Sequence, residues 1–327
     1  MSKRKILAVA ATLAVGAAVT GNAHADAWAN AQLSVKNFQL LKSPGTPFDL
    51  ADFTSLTSLD TLTLTSSSLG YATSGGTASS TVIGATLTHP SVCSGPSCFV
   101  DPFAPGGPPP TGYASSAGAN LSGSPISIAA SGVAAGASAN TAAFGETITP
   151  DGGVGNASST LQLQSSIKFK LGTAASSAGL SFDVTQILLA WAQGTDFTSH
   201  ASAGNSLSFT LDDVNTGVNL FSWAPNGTTG AFGDLLVTTA GCNVNQTAAT
   251  AANAIAPGPN QSDKGCTGSY VATLTAGLNN TDLYSLSITQ ISKIQDDTPV
   301  PEPSSIVLAG LALVGLGATA ARRRRQA

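Results

Sequence analysis

The residues able to do chemistry are few and scattered. His200 follows Asp196 and Ser199, so an acid, a hydroxyl and an imidazole fall close together in sequence. Nucleophilic hydrolysis needs those groups joined in space, not in sequence, and serine is so common here that the adjacency carries no weight. The other histidine of the chain's body, His89, precedes Pro90 and reads as a loop residue. No H-E-x-x-H, G-x-S-x-G or Gly-Lys-Ser/Thr occurs, so zinc-protease, serine-hydrolase and phosphate-loop chemistry have no local support. Asp212, Asp213, Asn215 and Gly217 carry oxygens suited to calcium. They lack the spacing of a calcium-binding loop and read as a hairpin turn with solvated acids. Trp191, Trp223 and Tyr284 offer rings for stacking on sugars, or equally for a core. Asn120, Asn156, Asn226, Asn245, Asn260 and Asn279 each open an N-x-Ser/Thr triplet, a pattern that chance supplies in such a chain. No catalytic residue, cofactor-binding residue or metal ligand is expected.

The four cysteines allow three pairings. Cys93 and Cys98 enclose a turn-like Ser-Gly-Pro-Ser, while Cys242 and Cys266 flank a Gly/Pro/Asn-rich stretch. Pairing Cys93 with Cys98 and Cys242 with Cys266 staples one loop each, worth roughly 2 and 3.5 kcal/mol by chain entropy. The rival is a zinc site. The spacing does not suit it, and an exported chain favours oxidation.

Export is read from the charges. Only 9% of the 327 residues are charged, against roughly 25% in ordinary soluble domains. Residues 26–303 hold all seventeen acids, six lysines and no arginine, a formal charge of −11. Such a surface cannot neutralise a phosphate backbone, so nucleic acid is not an expected partner. The N-terminus has a basic patch (Lys3, Arg4, Lys5), an uncharged apolar run over 6–19, and Ala23-His24-Ala25 before Asp26. This is a secretory signal with cleavage between Ala25 and Asp26, and it implies passage through the Sec translocon. Its apolar run would extend roughly 21 Å as a helix, short of the roughly 30 Å hydrocarbon core.

The C-terminus has another order: Pro301-Glu302-Pro303, an apolar segment over 304–321, then Arg322, Arg323, Arg324 and Arg325. Residues 306–321 would form a helix of roughly 24 Å, marginal for a full span. Seven Leu, Ile and Val residues there favour insertion by roughly 3 kcal/mol together. The arginines resist dehydration, so they stay cytoplasmic and the body lies outside. Two prolines resist helix and keep the preceding strip extended.

These three parts in this order resemble the PEP-CTERM sorting signal of Gram-negative bacteria, over about the last 28 residues. The resemblance implies processing by exosortase, an integral-membrane cysteine protease/transpeptidase. It implies cleavage near the Pro-Glu-Pro and delivery of the body to the cell surface or an exopolysaccharide matrix. Before processing, the chain is expected to sit in the inner membrane with its body in the periplasm.

Between the two ends the chain reads as all-β. Leu161, Leu163, Ile167, Phe169 and Leu171 share one face of a period-two run, with Gln162, Gln164, Ser166, Lys168 and Lys170 on the other. Leu180-Phe182-Val184 and Leu207-Phe209-Leu211 repeat the pattern, the latter turning into 218–223. Further strands are expected over 32–41, 58–66, 81–88, 235–239, 269–275 and 282–291. The segment 186–193 fits a buried strand or one helical turn. Five prolines make 101–110 a loop, and 112–145 reads as a low-complexity sheet edge or an insertion. Asp296 and Asp297 read as solubilising residues before the tail.

The expected architecture is an antiparallel β-sandwich or jelly-roll-like body over 26–298, between a signal helix (1–25) and a transmembrane helix in the tail (299–327). A two-domain split near 101–110 is the alternative. The leading functional expectation is an exported surface or extracellular-matrix protein without catalytic activity, associated with exopolysaccharide or biofilm. A carbohydrate-binding module is second, and a secreted hydrolase last.

Overall fold

The computed structural model describes residues 25–43, 45–68, 74–80, 92–94, 116–124, 137–149, 155–175, 177–193, 199–251 and 260–298. They form strands β1 (Ala25–Ser43), β2 (Thr46–Pro47), β3 (Phe53–Ser68), β4 (Ser74–Ser80), β5 (Val92–Ser94), β6 (Ser116–Ser124), β7 (Ala137–Thr149) and β8 (Gly155–Leu171). The second half adds β9 (Ala178–Gln193), β10 (His200–Asp213), β11 (Val218–Trp223), β12 (Gly230–Phe232), β13 (Leu235–Thr239), β14 (Gln246–Ala251), β15 (Asn260–Leu274) and β16 (Tyr284–Thr298). Among the described residues one 3-10 turn occurs, Leu50–Asp52, capped by Asp49. The signal segment, residues 81–88, the loop 101–110 and the tail from 299 onward lie outside the described residues, and so do both expected terminal helices. Among the described residues no helix is long and apolar enough to cross a membrane.

All pairings are antiparallel and make two sheets. One runs β12-β13-β15-β9-β1-β7-β6-β5, with β2 also on β1. The other runs β11-β10-β16-β8-β3-β4, with β14 also on β10. The period-two pattern explains which faces meet. In β8, Leu161, Leu163, Ile167, Phe169 and Leu171 are buried, and the intervening Gln and Lys residues are not. The segment 186–193 continues β9 as strand, and 137–149, inside or beside the low-complexity stretch, is an interior strand between β1 and β6. Its Ala139, Thr141, Ala142 and Ala143 are fully buried.

The gap between the sheets is filled unevenly along its length. One end is ringed by Phe38, Phe169, Phe182, Phe209, Phe221, Trp223, Tyr270 and Tyr284. Phe182 stacks on Tyr270 at 5.0 Å, and Trp223 lies 5.5 Å from Phe209 and 5.3 Å from Tyr270. Burying such rings contributes about 1.5–3 kcal/mol each. The other end is filled by Ala27, Ala29, Ala31, Ala143, Ala190, Ala201, Ala203 and Ala248, with Leu188 and Ile294.

Between the two ends, side chains of one sheet bond to the backbone of the other. Asn205 Nδ2 donates to the Gln32 carbonyl at 2.7 Å, and Gln290 Nε2 donates to the Leu33 carbonyl at 2.8 Å. Thr141 and Ser292 share a hydrogen bond of 2.8 Å, and Ser292 donates to Asn205 Oδ1 at 2.8 Å. A side chain as short as asparagine reaches the facing backbone only where the sheets lie closer than the roughly 10 Å of ordinary face-to-face packing. Gly145 marks the tightest approach. A methyl there would overlap Ile294 Cδ1 and come within 2.9 Å of Asp296 Oδ2.

Candidate functional site

The ring residues singled out for sugar stacking separate. Trp223 and Tyr284 are 1% and 3% exposed and belong to the aromatic core. Trp223 follows Phe221 at the inward parity of β11, and Tyr284 opens the inward run Tyr284, Leu286, Ile288 of β16. Trp191 has the opposite fate. Its neighbours Ala190 and Ala192 face the core, so alternation turns it to the outer face of the nine-stranded sheet, where it is half-buried. In register beside it on β1 is Trp28, which sequence reading passed over. The signal was available: Trp28 alternates with Ala27, Ala29 and Ala31, all inward. Ile187 and Leu189 extend this outer face, and Gln32, Ser34, Asn140, Thr185 and Ile187 line a shallow depression on it, where Ser34 donates to Asn140 Oδ1 at 2.5 Å. Asp183 lies on the same face. Hydrogen bonds from Ser269 and Asn37 hold its carboxyl below the usual range, against a smaller opposing effect of burial.

The carboxylates read as a hairpin turn rather than a calcium site do build one. Asp213 accepts from the amides of Asn215 and Thr216, and the Gly217 amide donates to the Asp213 carbonyl. Gly217 takes φ 71°, a value that favours glycine. Burial opposes ionisation of Asp213, and the Thr216 and Asn215 bonds overcome it, so the carboxyl is held below its ordinary range. Asp212 accepts from Asn219 Nδ2 at 2.7 Å. Asn279 is occupied similarly, accepting from the amides of Thr281 and Asp282 and donating to Asp282. Its amide donates to the Tyr284 hydroxyl, whose pKa burial raises.

The Asp196-Ser199-His200 constellation is not assembled among the described residues. Ser199 is buried, His200 is exposed at the start of β10, and Asp196 lies outside them, as does His89. No cluster of three or more His, Cys, Asp or Glu suited to a metal occurs among the described residues. Of the glycosylation-type asparagines, Asn226, Asn245 and Asn260 hold local backbone in turns and strand ends, while Asn156 donates to Asp297.

Cys242 and Cys266 are joined, with Cα atoms 5.8 Å apart. The Tyr270 hydroxyl donates to the Cys242 carbonyl and accepts from the Gly227 amide, so the cross-link and a core ring fasten the same loop. Burial raises the Tyr270 pKa, against a smaller effect of that amide. Beside the cross-link, Gly241 and Gly268 pass so closely that a methyl on either would strike the other's backbone. Cys93 lies in β5, and Cys98 lies outside the described residues, so that pairing does too.

Ala25 and Asp26 open β1, pairing with Thr149 and with Ile148 and Gln193. Ala23, Pro301, Glu302, Pro303 and Arg322 to Arg325 lie outside the described residues. The strip before the tail is not uniformly open. β16 runs on to Thr298, beyond the expected stop at 291, and Asp296 is buried and faces inward where a solvated role was expected.

The described residues therefore form a two-sheet, all-β body, and the chemically distinctive element of the sequence is a linear string beyond β16. The family model of the PEP-CTERM protein-sorting motif matches residues 299–325, and the chain carries that motif. The motif implies recognition by an exosortase, export, and anchoring in a membrane before processing. No curated protein matches the chain. Among solved structures, one of the infectious bursal disease virus Gt strain aligns at 12% identity over 85% of this chain and 66% of that one. Its TM-score is 0.09, and it carries no argument about fold or function.

Proposed function

We propose that the chain is a non-catalytic surface or extracellular-matrix protein, cut by an exosortase near Pro301-Glu302-Pro303 and released from its temporary anchor. The Sec translocon exports it, the body reaches the periplasm, and the finished protein associates with exopolysaccharide. The carrying observation is the PEP-CTERM motif over 299–325, directly behind a strand that ends at Thr298. Intact mass spectrometry of the exported protein tests it. The expected product starts at Asp26, lacks the tail, and contains two disulfides. Recovery of the secreted protein with the tail attached, or of cytosolic protein with free thiols, overturns the reading.

A second reading, a carbohydrate-binding surface, is favoured by the half-buried Trp191 on the outer face, near the polar Gln32, Ser34 and Asn140; its register partner Trp28 is only 7% exposed and adds little ring surface. A pull-down on purified exopolysaccharide tests it with Trp191→Ala. Unaltered retention of that variant removes the site, and absence of wild-type binding removes the reading.

A further inference from the structure

We infer that, while the tail is in the membrane, the body stands on that membrane by its alanine-filled end, with its aromatic end directed away. This rests on the reading of the tail as a temporary anchor. The argument begins with where the chain enters and leaves. β1 starts at Ala25 and β16 stops at Thr298, in opposite sheets. Gly145 pairs with Ala29 on one sheet and faces Ile294 and Asp296 of the other. The first rungs of β1 and the last rungs of β16 therefore meet across the same alanine-filled gap. Both membrane-directed segments leave from one end, so the body can close while both remain engaged.

The connection is also short. Residues 299–303 separate Thr298 from the apolar segment, and five residues reach at most about 18 Å. Fraying cannot lengthen it cheaply, because the end of β16 is central. Thr298 pairs with Gly155 of β8, and Asp297 pairs with Asn156 of β8 and His200 of β10. Asp296 and Thr298 are fully buried. The fifteen residues of β16 then carry the chain about 50 Å to the opposite end. A tether so much shorter than the body keeps the alanine end at the membrane and leaves the β10–β11 and β15–β16 turns remote.

The test uses the full chain reconstituted in lipid vesicles that contain an acceptor-labelled lipid. A donor fluorophore is placed on Gln193→Cys, at the alanine end, or on Asn280→Cys, in the β15–β16 turn, and labelled without reductant. Both positions are exposed. Flotation with the vesicles, with donor quenching several-fold stronger at Gln193→Cys than at Asn280→Cys, is expected. A twenty-residue Gly/Ser insertion after Thr298 should erase the difference without preventing flotation. Flotation with equal or reversed quenching in the uninserted chain overturns the orientation alone and leaves the anchor intact. Failure to float overturns the anchor, and the orientation with it.

Discussion

Phe209 and Ala203 lie on the same strand and face the same gap, yet they live in different interiors. Phe209 is surrounded by Phe38, Phe182 and Trp223, with ring centroids 6.0, 4.8 and 5.5 Å away. Ala203 sits among other alanines, Leu188 and Ile294. At the first end, rings hold the sheets apart and burial of apolar area supplies the stability. At the second, methyl groups let the sheets approach, and between the two ends asparagine and glutamine side chains bond the facing backbone. One pair of sheets thus closes by two different physical means, volume at one end and proximity at the other.

Substitutions that exchange the two solutions break this comparison most sharply. Phe209→Ala is expected to cost about 3–5 kcal/mol, through lost transfer and a cavity that fixed rings cannot fill. Equilibrium urea denaturation of the purified body reads it, and a loss under about 1 kcal/mol would mean that the aromatic end collapses freely. Ala203→Leu, the opposite change on the same strand, is expected to cost about 1–3 kcal/mol by overpacking. A neutral or stabilising result would show that the thin end has room to spread.

The smallest effect sharpens the comparison through pH. Asp183 titrates below its ordinary range, so its contribution is complete above a carboxylate pKa of about 3.9 and disappears as pH falls through the lower folded value. Tyr270 titrates above its ordinary range. Its contribution is complete below a phenol pKa of about 10 and disappears as pH rises through the higher folded value. Urea midpoints measured across both limbs should show Asp183→Asn flattening only the acid side and Tyr270→Phe only the alkaline side. The alkaline limb therefore reports on the aromatic end, while the acid limb combines Asp183 of the outer face with Asp213 of the β10–β11 turn.

The two ends also differ in how far they can be read from sequence. Large apolar residues alternating with Gln and Lys mark β8, and the expected bounds 218–223 and 235–239 coincide with β11 and β13. Where alanine alternates with serine, threonine and asparagine, the contrast between faces almost vanishes. Much of β7, β14 and the starts of β1 and β10 therefore left little trace, although their inward alanines, such as Ala139, Ala143, Ala203 and Ala248, are as deeply buried as any leucine. Asp296 misled for a related reason: an acid at an inward position contradicts the local rule, and only the pairing of β16 with β8 and β10 shows where it points. Around Trp191, Ile187, Leu188 and Leu189 are apolar at both parities, so only the fold decides which side is outside. The sorting motif was legible for the opposite reason. It acts as a linear string and needs no tertiary partner to be recognised.

The placement of β16 also governs how the body would respond to mechanical load. Fifteen residues of β16 pair with β8 and fourteen with β10. A pull on the C-terminal side of Thr298 runs along the strand axis, across these hydrogen bonds rather than in line with them. The rungs then resist in shear and must yield together, whereas an edge strand pulled from its side would unzip one rung at a time.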